Sequence, residues 1–163
     1  MILYFLRHGD AANDANMPDS ERPLTERGMQ QAALVGTFLR RTGDPIDVIL
    51  SSPLKRAVQT ASIVQSGIAG PEPTATELLV NGNDLHELIE HLNSLGASSA
   101  LLVGHAPHLS DTISLLLGGN TDSEIEMKKC SLAVVQTSDP VQPGSGLLKQ
   151  LTHVATIAKL IHP

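Results

Sequence analysis

Aromatic side chains are almost missing from this chain: it has no Trp, one Tyr and two Phe in 163 residues. There is little here on which unpaired bases could stack. Positive charge is short as well. Eleven Lys and Arg face 17 Asp and Glu, and the resulting net charge of −6 has the wrong sign for a nucleic-acid surface. Cysteine occurs once, at Cys130, so no intrachain disulfide can form, which fits a reducing compartment. No apolar run has the length of a membrane-spanning helix. The N-terminal apolar run is too short for a secretory signal and is interrupted by Arg7 and Asp10. These absences lead us to expect a cytoplasmic monomer with no nucleic-acid and no membrane partner.

What is present suffices for a core. With 163 residues, 41% of them apolar, the chain is long enough to form one domain over residues 1–163 without disulfides or metals. Short apolar runs at 2–6, 46–50 and 99–103 read as buried strands, and 74–79 reads as a further short one. Between them lie stretches with apolar residues at helical spacing. The first begins at Thr25, a good N-cap, shows Ala32, Val35, Gly36 and Leu39, and stops at Gly43-Asp44-Pro45. The second follows Ser52-Pro53, with Ser52 as cap and Pro53 as first residue, and should bury Leu54, Ala57, Val58 and Ala61. The third spans about 84–95, with the stripe Leu85, Leu88, Ile89, Leu92; the fourth opens at Pro107 and ends at Gly118-Gly119. Segments 131–136 and 146–154 read as a closing hairpin, and the tail from Ala155 as frayed strand or coil. This alternation predicts a three-layer α/β/α sandwich with a mostly parallel central sheet, a C-terminal antiparallel hairpin and no lid domain.

Three polar groups fall directly after strands. Arg7-His8 ends the first, and Gly9 just beyond lets the backbone turn sharply. Arg56 lies in the first turn of the second helix, where free N–H groups and a guanidinium together favour an anion. Gly104-His105 ends a later strand in the same manner. Right-handed crossovers bring such strand ends to one edge, where ligands bind in open α/β sheets. A neutral imidazole can attack phosphorus, and guanidinium groups match phosphate oxygens.

These residues carry a resemblance. Arg7-His8-Gly9, the run from Ser51-Ser52-Pro53-Leu54-Lys55-Arg56 to Ala61, and Gly104-His105 resemble, in order, the signatures of the histidine phosphatase (phosphoglycerate-mutase-like) superfamily. The short chain and Arg22-Pro23-Leu24-Thr25 are similar to its SixA-type phosphohistidine phosphatases. The resemblance covers the chain to about Pro107 and is diffuse beyond. It implies that His8 is the nucleophile and forms a phosphohistidine that water hydrolyses. It further implies that Arg7, Arg56, His105 and Arg22 bind the phosphoryl group, with no metal and no cofactor. Loss of one such donor should cost roughly 3 kcal/mol in the transition state. Asp19, three residues before Arg22, and Glu77 are the candidates for a general acid. A phosphohistidine substrate needs that acid less than an ester does, because imidazole leaves more readily than alkoxide. The absence of long insertions suits a phosphate displayed on a protein. The expected substrate is therefore a phosphohistidine-carrying protein such as a histidine-containing phosphotransfer domain. The alternatives are a phosphatase for small phosphomonoesters and a non-enzymatic phosphoprotein-binding module.

The remaining polar residues have plainer readings. Asp10 should bond to loop backbone, and His108 should start a helix, not bind a metal with His105. His86, His91, His153 and His162 should lie at the surface, Lys55 at the rim of the site, and Cys130 in the core. Glu124, Glu126, Lys128 and Lys129 read as a solvated face.

Overall fold

The first apolar run becomes a strand at the heart of the sheet. In a computed structural model describing residues 1–43 and 45–161, β1 (Ile2–Arg7) lies between two partners. It runs parallel to β4 (Ser99–Gly104) and antiparallel to β5 (Leu132–Gln136). With β2 (Val48–Ser51), β3 (Thr74–Ala75) and β6 (Leu147–Thr152), the sheet order is β3-β2-β4-β1-β5-β6. The first four strands are parallel, and β5 and β6 form the antiparallel hairpin.

Side chains of a strand alternate between faces, and each face here has its own core. Tyr4, Leu6, Ile49, Leu101 and Val103 pack under α1 (Glu26–Thr42), α2 (Lys55–Ile68) and α5 (Val154–Ile161). Leu3, Phe5, Leu50 and Leu102 pack under α3 (Leu85–Ser94) and α4 (His108–Gly118). Every residue of β4 is buried, as a strand covered on both faces must be. The expected three-layer sandwich is therefore the fold. Thr25 caps α1 by accepting from the Gly28 amide, and Asp84 caps α3 by accepting from the His86 amide.

Five local expectations change. The helix α2 starts at Lys55, not Pro53, and its cap residue Leu54 makes no side-chain cap bond; the Ser52 hydroxyl accepts from the Leu54 amide at 3.4 Å and lies closer to His105. Its buried stripe is Arg56, Ala57, Thr60, Ala61 and Val64, which leaves Val58 exposed. The strand expected over 74–79 stops after Ala75, because Thr76 begins a 3-10 turn over Glu77–Leu79. Pro107 occupies the cap position of α4, not its first turn. The tail is α5, not coil: Ile157 and Ile161 fall on one helical face and pack against α1. Asp44 and His162 lie outside the described residues.

Gly9 is needed for a different reason than a sharp turn. A Cβ on Gly9 would come within 2.7 Å of the Gly28 carbonyl oxygen, and one on Gly28 within 2.0 Å of the Asp10 carbonyl oxygen. The loop after β1 lies directly on the start of α1. There the Gly9 amide donates to Thr60 Oγ1 of α2 and the Asp10 amide to Gln31 Oε1 of α1.

Candidate active site

Strand register sets the site. Arg7 is paired with Gly104, and Ser51 with Val103, so His8, Ser52 and His105 leave three neighbouring strands at one edge. The His8 amide donates to the Gly104 carbonyl and the Ser52 amide to the Val103 carbonyl, extending the ladder by one step on each side.

His8 is 7% exposed, and its Nδ1 lies 2.7 Å from the Gly9 carbonyl oxygen. A carbonyl can only accept, so Nδ1 carries the proton and Nε2 keeps its lone pair. Burial pushes the His8 pKa down to about 4. The Gly9 hydrogen bond opposes this, and the charges of Arg56, Arg7 and Lys129 add to it. The ring is therefore neutral near pH 7. Arg56 Nε donates to His8 Nε2 at 3.3 Å, and the rings of His8 and His105 lie 5.0 Å apart between centroids, tilted by 55°. His105 is held neutral as well, at about 3, chiefly by burial and then by His8 and Arg56.

Arg7, Arg56 and His105 thus gather around His8, as the motifs led us to expect. Arg7 Nη1 donates to the Met127 carbonyl at 2.7 Å, while its buried Nε has no partner. His105 Nδ1 is likewise buried and unpartnered, its Nε2 lying 2.8 Å from Ser52 Oγ. Buried polar atoms without partners are uncommon, and Arg7 Nε and His105 Nδ1 are two of them in residues next to His8 in sequence or in space.

The outer residues are arranged differently. Arg56 Nη1 and Nη2 donate to the Asp19 carbonyl and carboxylate at 2.7 and 3.0 Å. Arg22 Nη1 donates to the other carboxylate oxygen at 2.8 Å, and its Nε to the Ala12 carbonyl. Arg22 therefore reaches the cluster through Asp19. The Arg56 hydrogen bond, with a smaller one from Arg22, holds the Asp19 carboxyl below the usual carboxylate range against some burial. Glu77 is exposed on its 3-10 turn, with no side-chain hydrogen bond or ion pair to this cluster.

Several residues differ from their sequence readings. Asp10 accepts from the Thr25 hydroxyl at 2.8 Å and pairs with Lys129, not with loop backbone. Lys129 is therefore not part of a freely solvated face. The Cys130 amide bonds to the Arg7 and His8 carbonyls, which brings Lys129 beside the site; no spacing in the sequence signals this. Ser52 is likewise a site residue that was read as a helix cap. His153 is half-buried, 2.8 Å from Ser131 Oγ, instead of lying free at the surface. His91 is also half-buried, whereas His86 and Lys55 are exposed. His108 does begin α4, with Nε2 on the Leu78 carbonyl. Cys130 is fully buried, and burial pushes its thiol up to about 12. Among the described residues no three His, Cys, Asp or Glu side chains group as a metal site, and no helix is long and apolar enough to cross a membrane.

Residues 3–81 match the model of the histidine phosphatase superfamily (branch 1). The phosphohistidine phosphatase SixA of Escherichia coli is 32% identical over 127 residues, 74% of this chain and 77% of that protein. A solved structure of the protein histidine phosphatase SixA complexed with tungstate has a TM-score of 0.87 and 27% identity. That match covers 96% of this chain and 99% of the other. A shorter match, 40% identical over 81 residues, is to the adenosylcobalamin/alpha-ribazole phosphatase of Salmonella typhi, covering 48% of this chain and 39% of that protein.

Proposed function

The chain belongs to the histidine phosphatase superfamily, and from that premise we propose that it is a metal-independent phosphohistidine phosphatase acting on a protein. The observation that carries the reading is the state of His8. Its proton is committed to the Gly9 carbonyl, its unprotonated Nε2 meets no protein donor but Arg56 Nε at 3.3 Å among the described hydrogen bonds, and its neutrality is secured by burial and neighbouring guanidinium charge.

In the proposed reaction, His8 Nε2 attacks the phosphorus of a substrate phosphohistidine. The P–N bond to the substrate breaks as the new one forms, and the leaving imidazole takes a proton from solvent water. Water then attacks the phosphoryl group on His8, releasing inorganic phosphate and restoring the free ring. Arg7 Nε and His105 Nδ1, the two unpartnered atoms, are the groups we assign to the phosphoryl oxygens, with Arg56 alongside. Positioning and charge stabilisation of this kind are the main requirements of phosphoryl transfer.

What accompanies His8 supports this substrate class. Neither candidate acid suits its role: Asp19 is a low-pKa carboxylate held by two arginines, and Glu77 has no tie to the cluster. An alkoxide leaving group would miss an acid worth ~10²–10⁴ in rate, whereas an imidazole leaving group would miss it less. The SixA relatives support the same class. A small-molecule phosphatase is the second reading, favoured by the partial match to the ribazole phosphatase.

The test is phosphate release from a phosphohistidine-carrying phosphotransfer protein and from an aryl phosphate, in excess chelator, with wild type and His8→Ala. Fast release from the protein, slow release from the ester and none from the variant is the expected pattern. Preference for the ester would transfer the assignment to a small-molecule phosphatase. Normal turnover by His8→Ala would remove His8 as nucleophile, and a loss of activity restored by metal would end the metal-free mechanism.

A further inference from the structure

We propose that Ser52 is a positioning residue that fixes His105 as its Nδ1–H tautomer, leaving that N–H as the ring's one uncommitted donor beside His8. The purpose of this arrangement rests on the phosphatase reading, whereas the hydrogen-bond assignment stands without it.

Ser52 lies one residue beyond β2, with its amide held by the Val103 carbonyl and its side chain fully buried. Its hydroxyl oxygen has two neighbours: the Leu54 amide, which donates to it at 3.4 Å, and His105 Nε2 at 2.8 Å. A hydroxyl has one hydrogen to give. The Leu54 amide is a donor and cannot receive it, so Nε2 is the one acceptor for it among the described hydrogen bonds. Were Nε2 protonated, the Ser52 hydrogen would be buried without an acceptor, and His105 Nδ1 would present a lone pair to an incoming phosphoryl oxygen. With Nε2 accepting, the hydroxyl is satisfied, and the buried, unpartnered Nδ1 carries a hydrogen that a phosphoryl oxygen can accept.

His8 and His105 then share one tautomer and differ in which nitrogen makes the short contact to the protein: Nδ1 in His8, whose Nε2 has Arg56 at 3.3 Å, and Nε2 in His105. The Gly9 carbonyl takes the Nδ1–H of His8 and leaves Nε2 as nucleophile. The Ser52 hydroxyl takes the Nε2 of His105 and leaves Nδ1–H as donor. The burial that keeps His105 neutral makes the choice matter, since a doubly protonated ring would donate from either side.

The test reads the tautomers directly, by long-range ¹H–¹⁵N correlation of the histidine rings in ¹⁵N-labelled protein at pH 7, with His105→Gln assigning the signals. His8 and His105 should both show a protonated Nδ1. Ser52→Ala should shift His105 alone toward the Nε2–H form and lower kcat by about tenfold, the scale on which orienting partners act. Ser52→Thr, which retains the hydroxyl, should recover the tautomer and most of the rate. The double variant Ser52→Ala/His105→Gln should be no slower than His105→Gln. A wild-type His105 protonated at Nε2 overturns the proposal; so does an unchanged tautomer or unchanged kcat in Ser52→Ala, or a multiplicative loss in the double variant. If Ser52→Ala does not fold, the wild-type and Ser52→Thr spectra still decide the tautomer. Wild type inactive on both substrates would sink the phosphatase reading while leaving the tautomer assignment to these spectra.

Discussion

Asp19 shows how much a single residue's role depends on its partners. As the third residue before Arg22 it was a candidate acid, yet the fold gives both its oxygens to arginines and keeps it ionised. A carboxylate so held positions Arg56, whose Nε reaches His8. Asp19→Asn should therefore lower kcat on a phosphohistidine protein by less than tenfold, well short of the ~10²–10⁴ expected for loss of a general acid. Steady-state kinetics of that variant separate the two roles. His8 makes a pH prediction of the same kind. Its pKa of about 4 means that the neutral ring, the form the proposed attack needs, persists through mild acid. After subtraction of spontaneous hydrolysis, kcat/KM should stay level from pH 7 to pH 5 and fall only as the pH nears 4. A fall centred near 6.5 would mean an unshifted ring.

At the scale of elements, the site depends on where β1 hands the chain to α1. Gly9 and Gly28 meet backbone to backbone, and the loop between His8 and Thr25 is tied to both α1 and α2. Gly28→Ala would put a methyl group 2.0 Å from the Asp10 carbonyl oxygen, backbone that cannot swing aside. We expect it to destabilise the fold by about 1–3 kcal/mol and to lower kcat, because relief of the clash displaces the segment that carries His8. The helix α5 behaves as the opposite case. Ile157 is fully buried against α1, in the core under one face of the sheet. Ile157→Ala should cost about 2–5 kcal/mol while leaving kcat unchanged. Urea unfolding and kinetics on the two variants distinguish an element that shapes the site from one that only completes the core.

For the whole molecule, the buried histidines couple the site to stability. His8 and His105 titrate at about 4 and about 3 when folded and near 6.5 when unfolded. Between these values the unfolded chain binds more protons, so stability rises with pH through that window. It is complete above 6.5 and lost as the pH falls toward 4 and then 3. Asp10 and Asp19, whose folded pKa values are lowered chiefly by Lys129 and Arg56, add to the loss at still lower pH with the same sign. Unfolding free energy should drop between pH 7 and pH 5 by on the order of 2–4 kcal/mol for the two rings together. The slope should flatten in a His8→Ala/His105→Gln variant, and a pH-independent free energy over that range would contradict the neutral rings.

The sequence by itself determined the alternation of strands and helices, the two apolar faces of the sheet, and the three strand-end motifs that hold Arg7, His8, Arg56 and His105. Those features are local: short apolar runs and helical spacing, Thr25 as a cap, and glycines where elements end. The tertiary structure alone decided which groups meet. That the Ser52 hydroxyl meets His105 as well as the start of its own helix depends on β2 and β4 lying side by side in one register. That Lys129 stands beside Asp10 depends on β5 returning antiparallel to β1, more than a hundred residues later in the chain. The helical tail was hidden because eight residues are too few to declare a helix without α1 to pack against. Propensity and periodicity are set by neighbours in sequence, whereas hydrogen-bond partners and pKa values are set by neighbours in space, and only folding supplies those.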